Sequence, residues 1–172
     1  GGTIAHAISF CRSLFEISEA AGVVLPDCEL SVEVTDSLPP DHAIAFPGAK
    51  KASLALPDLM VTITSVINVR SCSRPISIVL NWGRLLVNGD EPHAVLGEVL
   101  DSPVPLGGVI LSGAGNTPDG FADSHNTHLD PDSGFTLDDA RRCAETVGAG
   151  ADASFIGMKG STNSAAALTA EE

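Results

Sequence analysis

Asp123 and His125, two residues apart in a polar stretch, are the pair in this sequence best placed to hold or move a proton. A carboxylate beside an imidazole can orient a general base, and it can also ligate a cation. Around them Asp119, His128, Asp130 and Asp132 crowd the same loop, between the apolar run Val109-Ile110-Leu111 and a helix-start signal at Thr136. The whole stretch from Gly107 to Arg142 looks like a strand emptying into a long polar loop. In α/β proteins that is where chemistry sits, outside the carboxyl ends of the strands. A long solvated loop is the competing reading. Asp130-Pro-Asp132-Ser-Gly134 mimics a calcium loop but carries its glycine one position early and Arg141 where a Glu is needed. Gly113-Ala-Gly115 lacks the third glycine and the Lys of a phosphate loop.

The elements that must position this stretch come from hydrophobic periodicity. Phe10, Leu14, Ile17 and Ala21 fall on one helical face, with Gly22 as its expected C-terminal stop. Leu30, Val32 and Val34 alternate with Ser31 and Glu33, predicting a strand. Ser53 offers a cap for a helix through about Val69, although Val61-Thr62-Ile63-Thr64 also alternates as a strand does. Ile76 to Leu80 predicts a buried strand ending at Asn81-Trp82-Gly83-Arg84, and Asp90 is the expected cap of the next helix. Thr136 with Asp139 makes a capping box opening a helix to about Val147. Residues 154–158 form the last strand, ending at Lys159, and 161–172 is a small, polar tail expected to fray. Strands that alternate with helices predict parallel βα units in one α/β domain. A polar or charged residue stands at each strand's carboxyl end: Glu33, Asn81 with Arg84, Ser112, and Lys159.

At 172 residues the chain can bury one substantial core, and 44% apolar residues exclude a disordered class. A net charge of -13 argues against nucleic-acid or anionic-membrane partners, which need a basic face. Cys11, Cys28, Cys72 and Cys143 stand far apart, as buried thiols of a reducing, cytoplasmic compartment do. No apolar run reaches membrane-spanning length, and no basic region with an apolar core opens the chain.

The run Ser31-Val-Glu-Val-Thr-Asp36, Lys51-Ala-Ser-Leu-Ala-Leu56, Leu80-Asn-Trp-Gly-Arg84, Gly108-Val-Ile-Leu-Ser-Gly113, Asp123-Ser-His125 and Gly157-Met-Lys159 resembles one group of xylose-isomerase-like TIM barrels. The group is an uncharacterised subgroup of the sugar phosphate isomerase/epimerase superfamily, and the likeness spans about residues 8 to 160. It implies a (β/α)8 barrel of which this chain supplies the C-terminal half, about four strands. A half barrel predicts a truncated product, a homo-oligomer, or pairing with a missing half. The resemblance also implies a small-molecule sugar or sugar phosphate as substrate, with proton abstraction next to a carbonyl through an enediolate.

In that frame Glu33, His125 and Lys159 are the candidate catalytic residues, and Asn81, Trp82, Arg84 and Lys51 the candidate substrate-binding ones. Members of the superfamily hold a divalent cation (Mn2+, Mg2+ or Zn2+) at these strand ends, which nominates Glu33, Asp123 and His125 as metal ligands. This sequence departs from that pattern: Asn81 and Arg84 stand where an Asp and a His are expected, Lys159 where a Glu is expected, and Val34 where the subgroup carries a His. The alternative reading is a sugar-binding or vestigial half barrel without turnover.

Overall fold

The computed structural model describes residues 2–24, 29–35, 54–69, 76–118, 120–150 and 155–160. Its framework is a four-stranded parallel sheet of β1 (Leu30–Glu33), β2 (Ile76–Asn81), β3 (Leu106–Leu111) and β6 (Phe155–Met158), lying side by side in that order. Helices α1 (Gly2–Val24), α2 (Leu56–Val69), α3 (Trp82–Asn88), α4 (Pro92–Leu100) and α5 (Leu137–Gly150) alternate with the strands. A short antiparallel hairpin, β4 (Gly115–Thr117) with β5 (Gly120–Ala122), rises from the loop after β3. This is the α/β architecture expected from the alternation. A strand can pair in parallel with its predecessor only after a crossover, and here helices fill the crossovers.

One face of the sheet carries the core. Ile76, Ile78 and Leu80 of β2 and Val109 and Leu111 of β3 join Leu14, Leu59, Ile63, Val66, Val95, Leu96, Val99 and Val147 in a single buried cluster. With a side-chain period of two, Ser31 and Glu33, Ser77, Val79 and Asn81, and Gly108 and Ile110 fall on the opposite face. On that face β3 bulges. Ile78 pairs with Leu106 but Val79 with Gly108, so Gly107 is the extra residue. A Cβ there would lie 2.2 Å from Ser77 Oγ, and the space is taken by a Ser31–Ser77 hydroxyl contact of 2.7 Å. Glycine is required at 107 because two serines already meet there.

Several boundaries differ from the sequence expectation, each for a local reason. Helix α1 runs through Gly22 to Val24, and its buried stripe takes Leu14 and Ser18 while Ile17 is exposed. Ser18 is a small residue one position along the same stripe, which periodicity of apolar types alone does not register. In α2 the helical spacing of Leu56, Leu59, Ile63 and Val66 wins over the Val61–Thr64 alternation. Thr62 and Ser65 return their hydroxyls to the carbonyls of Asp58 and Val61, as helical hydroxyl residues do. The expected cap at Ser53 lies outside the described residues, as do Lys51, Asp36, Asp119, Cys28, Cys72 and the tail from 161 onward. The cap of α4 is Glu91 rather than Asp90: its carboxylate accepts from His93 N (3.3 Å) and Ala94 N (2.6 Å). Asp90 instead sits partly buried near Glu98, and these raise its pKa above the ordinary 3.8, against an opposing hydrogen bond from Asn88.

The capping box at α5 forms as expected. Asp139 Oδ2 accepts from Thr136 N (2.9 Å), and Asp139 N donates to Thr136 Oγ1 (3.2 Å). Asp139 Oδ1 also meets His93 Nε2 at 3.3 Å, fastening α5 to α4. Burial pushes the Asp139 carboxyl up, but the Thr136 hydroxyl and N–H, with His93, outweigh it and leave its pKa below 3.8. A depressed folded pKa gives stability that is complete above the unfolded value and lost as pH falls through the folded one. Asp139→Asn is therefore predicted to cost up to about 1 kcal/mol at neutral pH and less in acid below 3.8. Urea midpoints at the two pH values measure this, and an equal loss at both would remove the ionised cap from the account.

Candidate functional site

Where β2 ends, the chain turns directly into α3 without a loop, and Asn81 is the residue at the joint. Its backbone is extended (φ -117°, ψ 111°), and its Oδ1 caps α3 by accepting from Arg84 N at 3.4 Å. Gly89, at φ 82°, closes the same helix in the left-handed conformation that glycine adopts at no steric cost. Helix α3 was absent from the sequence expectation, although Asn81 at one end and Gly89 at the other are its signal.

Three strand ends meet at Asn81, which is 0% exposed. Asn81 Nδ2 donates to Glu33 Oε1 at 2.8 Å, joining β2 to β1. Ser112 Oγ, just past β3, donates to Asn81 Oδ1 at 2.8 Å and accepts from Gly83 N at 3.3 Å. Arg84 Nε lies 3.4 Å from Glu33 Oε1, an ion-pair contact without hydrogen-bond alignment, and the arginine is buried. The Glu33 side chain keeps 38% of its surface, and its Oε2 takes no hydrogen bond among the described residues. A buried polar group is stable only when partnered, so these contacts fix Asn81 and Glu33 together.

The fourth strand end is less tightly joined. Lys159 N donates to Leu111 O at 2.9 Å, carrying the β3–β6 ladder one residue further, and its half-buried side chain makes no ion pair among the described residues. Trp82 points the other way. It is 2% exposed and packs edge-on against His93 (4.7 Å between ring centroids) and Phe135 (6.2 Å). A ring so placed belongs to the core and offers no face to a sugar.

The loop after β3 is stitched into a compact unit. Gly113 N donates to Asn126 O, Asn116 N to Asp132 O, and Gly134 N to Ala114 O, all at 2.8–2.9 Å. Asp130 folds a turn on itself, its Oδ1 accepting from Asp132 N at 3.0 Å. Within this unit His125 holds a left-handed backbone (φ 53°), and its Nδ1 lies 3.1 Å from Asp123 Oδ1, close but off the hydrogen-bond line. Left-handed conformations at non-glycine residues cost energy and concentrate at working loops. Ser124 Oγ beside them is buried and takes no hydrogen bond among the described residues.

The expected site residues thus fall into two groups, Glu33–Asn81–Arg84 with Ser112, and Asp123–His125. Ser112 was noted in the sequence only as a polar strand end, because a serine after a strand is too common to signal more. Among the described residues no three His, Cys, Asp or Glu side chains gather closely enough to hold a metal ion. Glu33, Asp123 and His125 therefore do not form the three-ligand set nominated for Mn2+, Mg2+ or Zn2+. Among the described helices none is long and apolar enough to cross a membrane.

No curated protein and no solved structure matches the chain. A family model described as a domain of unknown function, DUF4862, matches residues 2–171. A match across nearly every residue, strand ends and loop alike, makes this chain a member of the DUF4862 family.

Proposed function

We propose that this chain is a segment of a (β/α)8 barrel of the sugar phosphate isomerase/epimerase kind, and that its strand ends act on a sugar or sugar phosphate. The observation that carries the reading is the state of Glu33. Asn81 and Arg84 hold one carboxylate oxygen, while Oε2 stays unengaged among the described residues at the carboxyl end of a parallel sheet. Ligands bind outside the carboxyl ends of such sheets. The consecutive order of the four parallel strands, with the core gathered on one face, supports the barrel segment.

In this reading Glu33 Oε2 takes a proton from the carbon next to the substrate carbonyl. The C–H electron pair moves into a C=C bond and the carbonyl oxygen becomes the enediolate oxyanion. Return of the proton to the neighbouring carbon, with the adjacent hydroxyl's proton passing to the former carbonyl oxygen as that hydroxyl becomes the new carbonyl, isomerises the sugar. Delivery of a proton to the opposite face of the original carbon by a second acid epimerises it. His125, oriented by Asp123, is the second acid/base, and Lys159 is the cation for an enediolate or a phosphate. Asn81 and Arg84 act on Glu33, not on the sugar. No step runs through a metal.

The second reading, sugar binding without turnover, draws on the burial of Arg84, which also gives Glu33 a purely structural partner. Proton NMR in D2O separates the two. Incubating the protein with a panel of aldoses, ketoses and their phosphates is expected to wash deuterium into the position beside the carbonyl of at least one member. Glu33→Gln is expected to slow that exchange at least 100-fold, the scale of a lost general base. Binding of a sugar with no deuterium incorporation would favour the second reading. Neither binding nor exchange across the panel removes both.

A further inference from the structure

The geometry points to Phe155 as a stacking seat for the C–H face of a sugar, on the same sheet face as Glu33. That the ligand is a sugar rests on the function proposed above. The flat, open ring does not.

Exposure alone does not single Phe155 out. It is 42% exposed, but Ile156 and Met158 of the same strand are 41% and 68% exposed. What separates it is how the ring is held. A Cβ on Gly108 would lie 2.6, 2.7 and 2.8 Å from Phe155 Cε1, Cδ1 and Cζ, three consecutive ring atoms. A point in the plane of a ring and facing one atom is clearly farther from that atom's two neighbours. Near-equal distances to three place the point over the ring face. The ring therefore lies flat across Gly108, roughly parallel to the sheet, with its second face turned away from the strands. Its far edge runs past Gly157, where a Cβ would stand 3.6 Å from Cδ2 and 3.8 Å from Cε2. Glycine within a strand weakens it and marks a close approach, and at 108 the approaching group is this ring.

The sheet face beneath the ring is the one that carries Glu33. Glu33 pairs with Val79, Val79 with Gly108 and Gly108 with Phe155, so carboxylate and ring stand in one cross-strand row. By lying back over Gly108 the ring comes one strand nearer, to about 10 Å from β1, two strand spacings. Val79 between them is 5% exposed, so the row is closed beneath, while the Glu33 side chain keeps 38% of its surface. A sugar carries hydroxyls around its edge and C–H groups on its faces. A flat aromatic ring takes the C–H face through dispersion and its negative π surface, and a carboxylate oxygen takes a hydroxyl. A phosphate alone would gain nothing from the ring. The non-reacting end of the sugar thus lies on Phe155 and its reacting end at Glu33, the contact that buried Trp82 is not placed to make.

The probes are the methyl β-glycopyranosides of glucose, galactose and xylose, whose closed rings carry no carbonyl and so bind without reacting. In protein labelled with 13C-phenylalanine, at least one is expected to shift the Phe155 ring resonances, identified by their absence from Phe155→Tyr. Phe155→Leu is expected to weaken binding of that sugar about fivefold to tenfold, the scale of a lost aromatic contact, and Phe155→Tyr to keep it. A ring that only covers Gly108 would change stability in Phe155→Leu and leave sugar affinity as in the wild type. Unchanged affinity in that variant, or a Phe155 ring unmoved by all three sugars, overturns the proposal. Should Phe155→Leu not fold, the wild-type ring shift decides. A concentration-dependent dimer in light scattering, with the ring silent to sugar, would give this face to a second copy and overturn it as well. The isomerase reading fails separately. Sugar binding on Phe155 without deuterium exchange sinks that reading alone, and exchange that persists in Phe155→Leu at unchanged KM sinks this one alone.

Discussion

Replacing Asn81 with alanine is expected to lower the unfolding free energy by about 3 kcal/mol. The lost helix cap accounts for about 1 kcal/mol. The remainder comes from stranding Ser112 and one oxygen of Glu33, since a buried polar atom left without its partner costs roughly 1–3 kcal/mol. Equilibrium urea unfolding should show a lower midpoint at unchanged slope, the sign of lost stability rather than altered compactness. Asn81→Asp makes a sharper companion. It keeps an acceptor for the α3 cap but puts a second carboxylate where Glu33 Oε1 now receives an N–H at 2.8 Å. Two carboxylates at that distance cannot both ionise cheaply, so this variant should be less destabilised near pH 4 than near pH 7. A loss below about 1 kcal/mol for Asn81→Ala would mean that the three strand ends are not joined through this side chain.

The second large effect is expected at Gly113. A Cβ there would stand 2.1 Å from Ser133 Oγ and 2.6 Å from Asn126 O. The serine hydroxyl can rotate away. The Asn126 carbonyl cannot, because it accepts the Gly113 N–H at 2.9 Å and follows directly on His125. Relief of the clash must displace Asn126, and with it the strained His125 and its approach to Asp123. Gly113→Ala is predicted to cost about 2 kcal/mol by overpacking and to shift the backbone amide resonances of residues 123–126. The control is Gly97→Ala in α4, where a Cβ meets nothing within 4 Å and helix propensity favours alanine by up to about 1 kcal/mol. If both variants behave alike, the loop after β3 is not packed as described.

The strands and most helices could be read from the sequence because each strand is an apolar run or, as in β1, a strict alternation, and each helix repeats on one stripe. What escaped were the elements too short to repeat. Helix α3 has seven residues and follows β2 with no loop, so the polar Asn81 read as a strand end when it is also a helix cap. The β4–β5 hairpin pairs Gly115-Asn-Thr with Gly120-Phe-Ala, three residues a side, without enough alternation to stand out. The cap of α4 moved by one position because Asp90 and Glu91 are both acidic, and only the extended backbone at Glu91 decides between them.

The site was legible to the same depth. Parallel strands deliver their carboxyl ends to one edge, so Glu33, Asn81 and Arg84 could be nominated together from topology alone. Which of them touch could not. The pairing of Glu33 with Arg84 depends on side chains 51 residues apart in sequence, and the turning of Trp82 into the core depends on Phe135 and His93 being there to receive it. Asp123 and His125 were grouped with Glu33 because all three are ligand types near strand ends. In the fold they make a pair of their own.

The consecutive order of the sheet strands has a consequence for how the chain assembles in time. Each strand lies beside the one made just before it, so a chain emerging from the ribosome can add every new strand to the edge left by the last. The β2–β3 step is the shortest, 28 residues from Ile78 to Leu106, while Leu30 to Ile76 spans 46 and Gly108 to Phe155 spans 47. Loop-closure entropy rises with the length of chain enclosed, so β2–β3 is the expected quick closure, and β1–β2, the first pair that synthesis makes available, is slower. Asn81 lies at the end of that first pair, its amide on Glu33 across the two strands. The pair that brings the candidate carboxylate to its partner is thus the first available during synthesis but not the fastest to close.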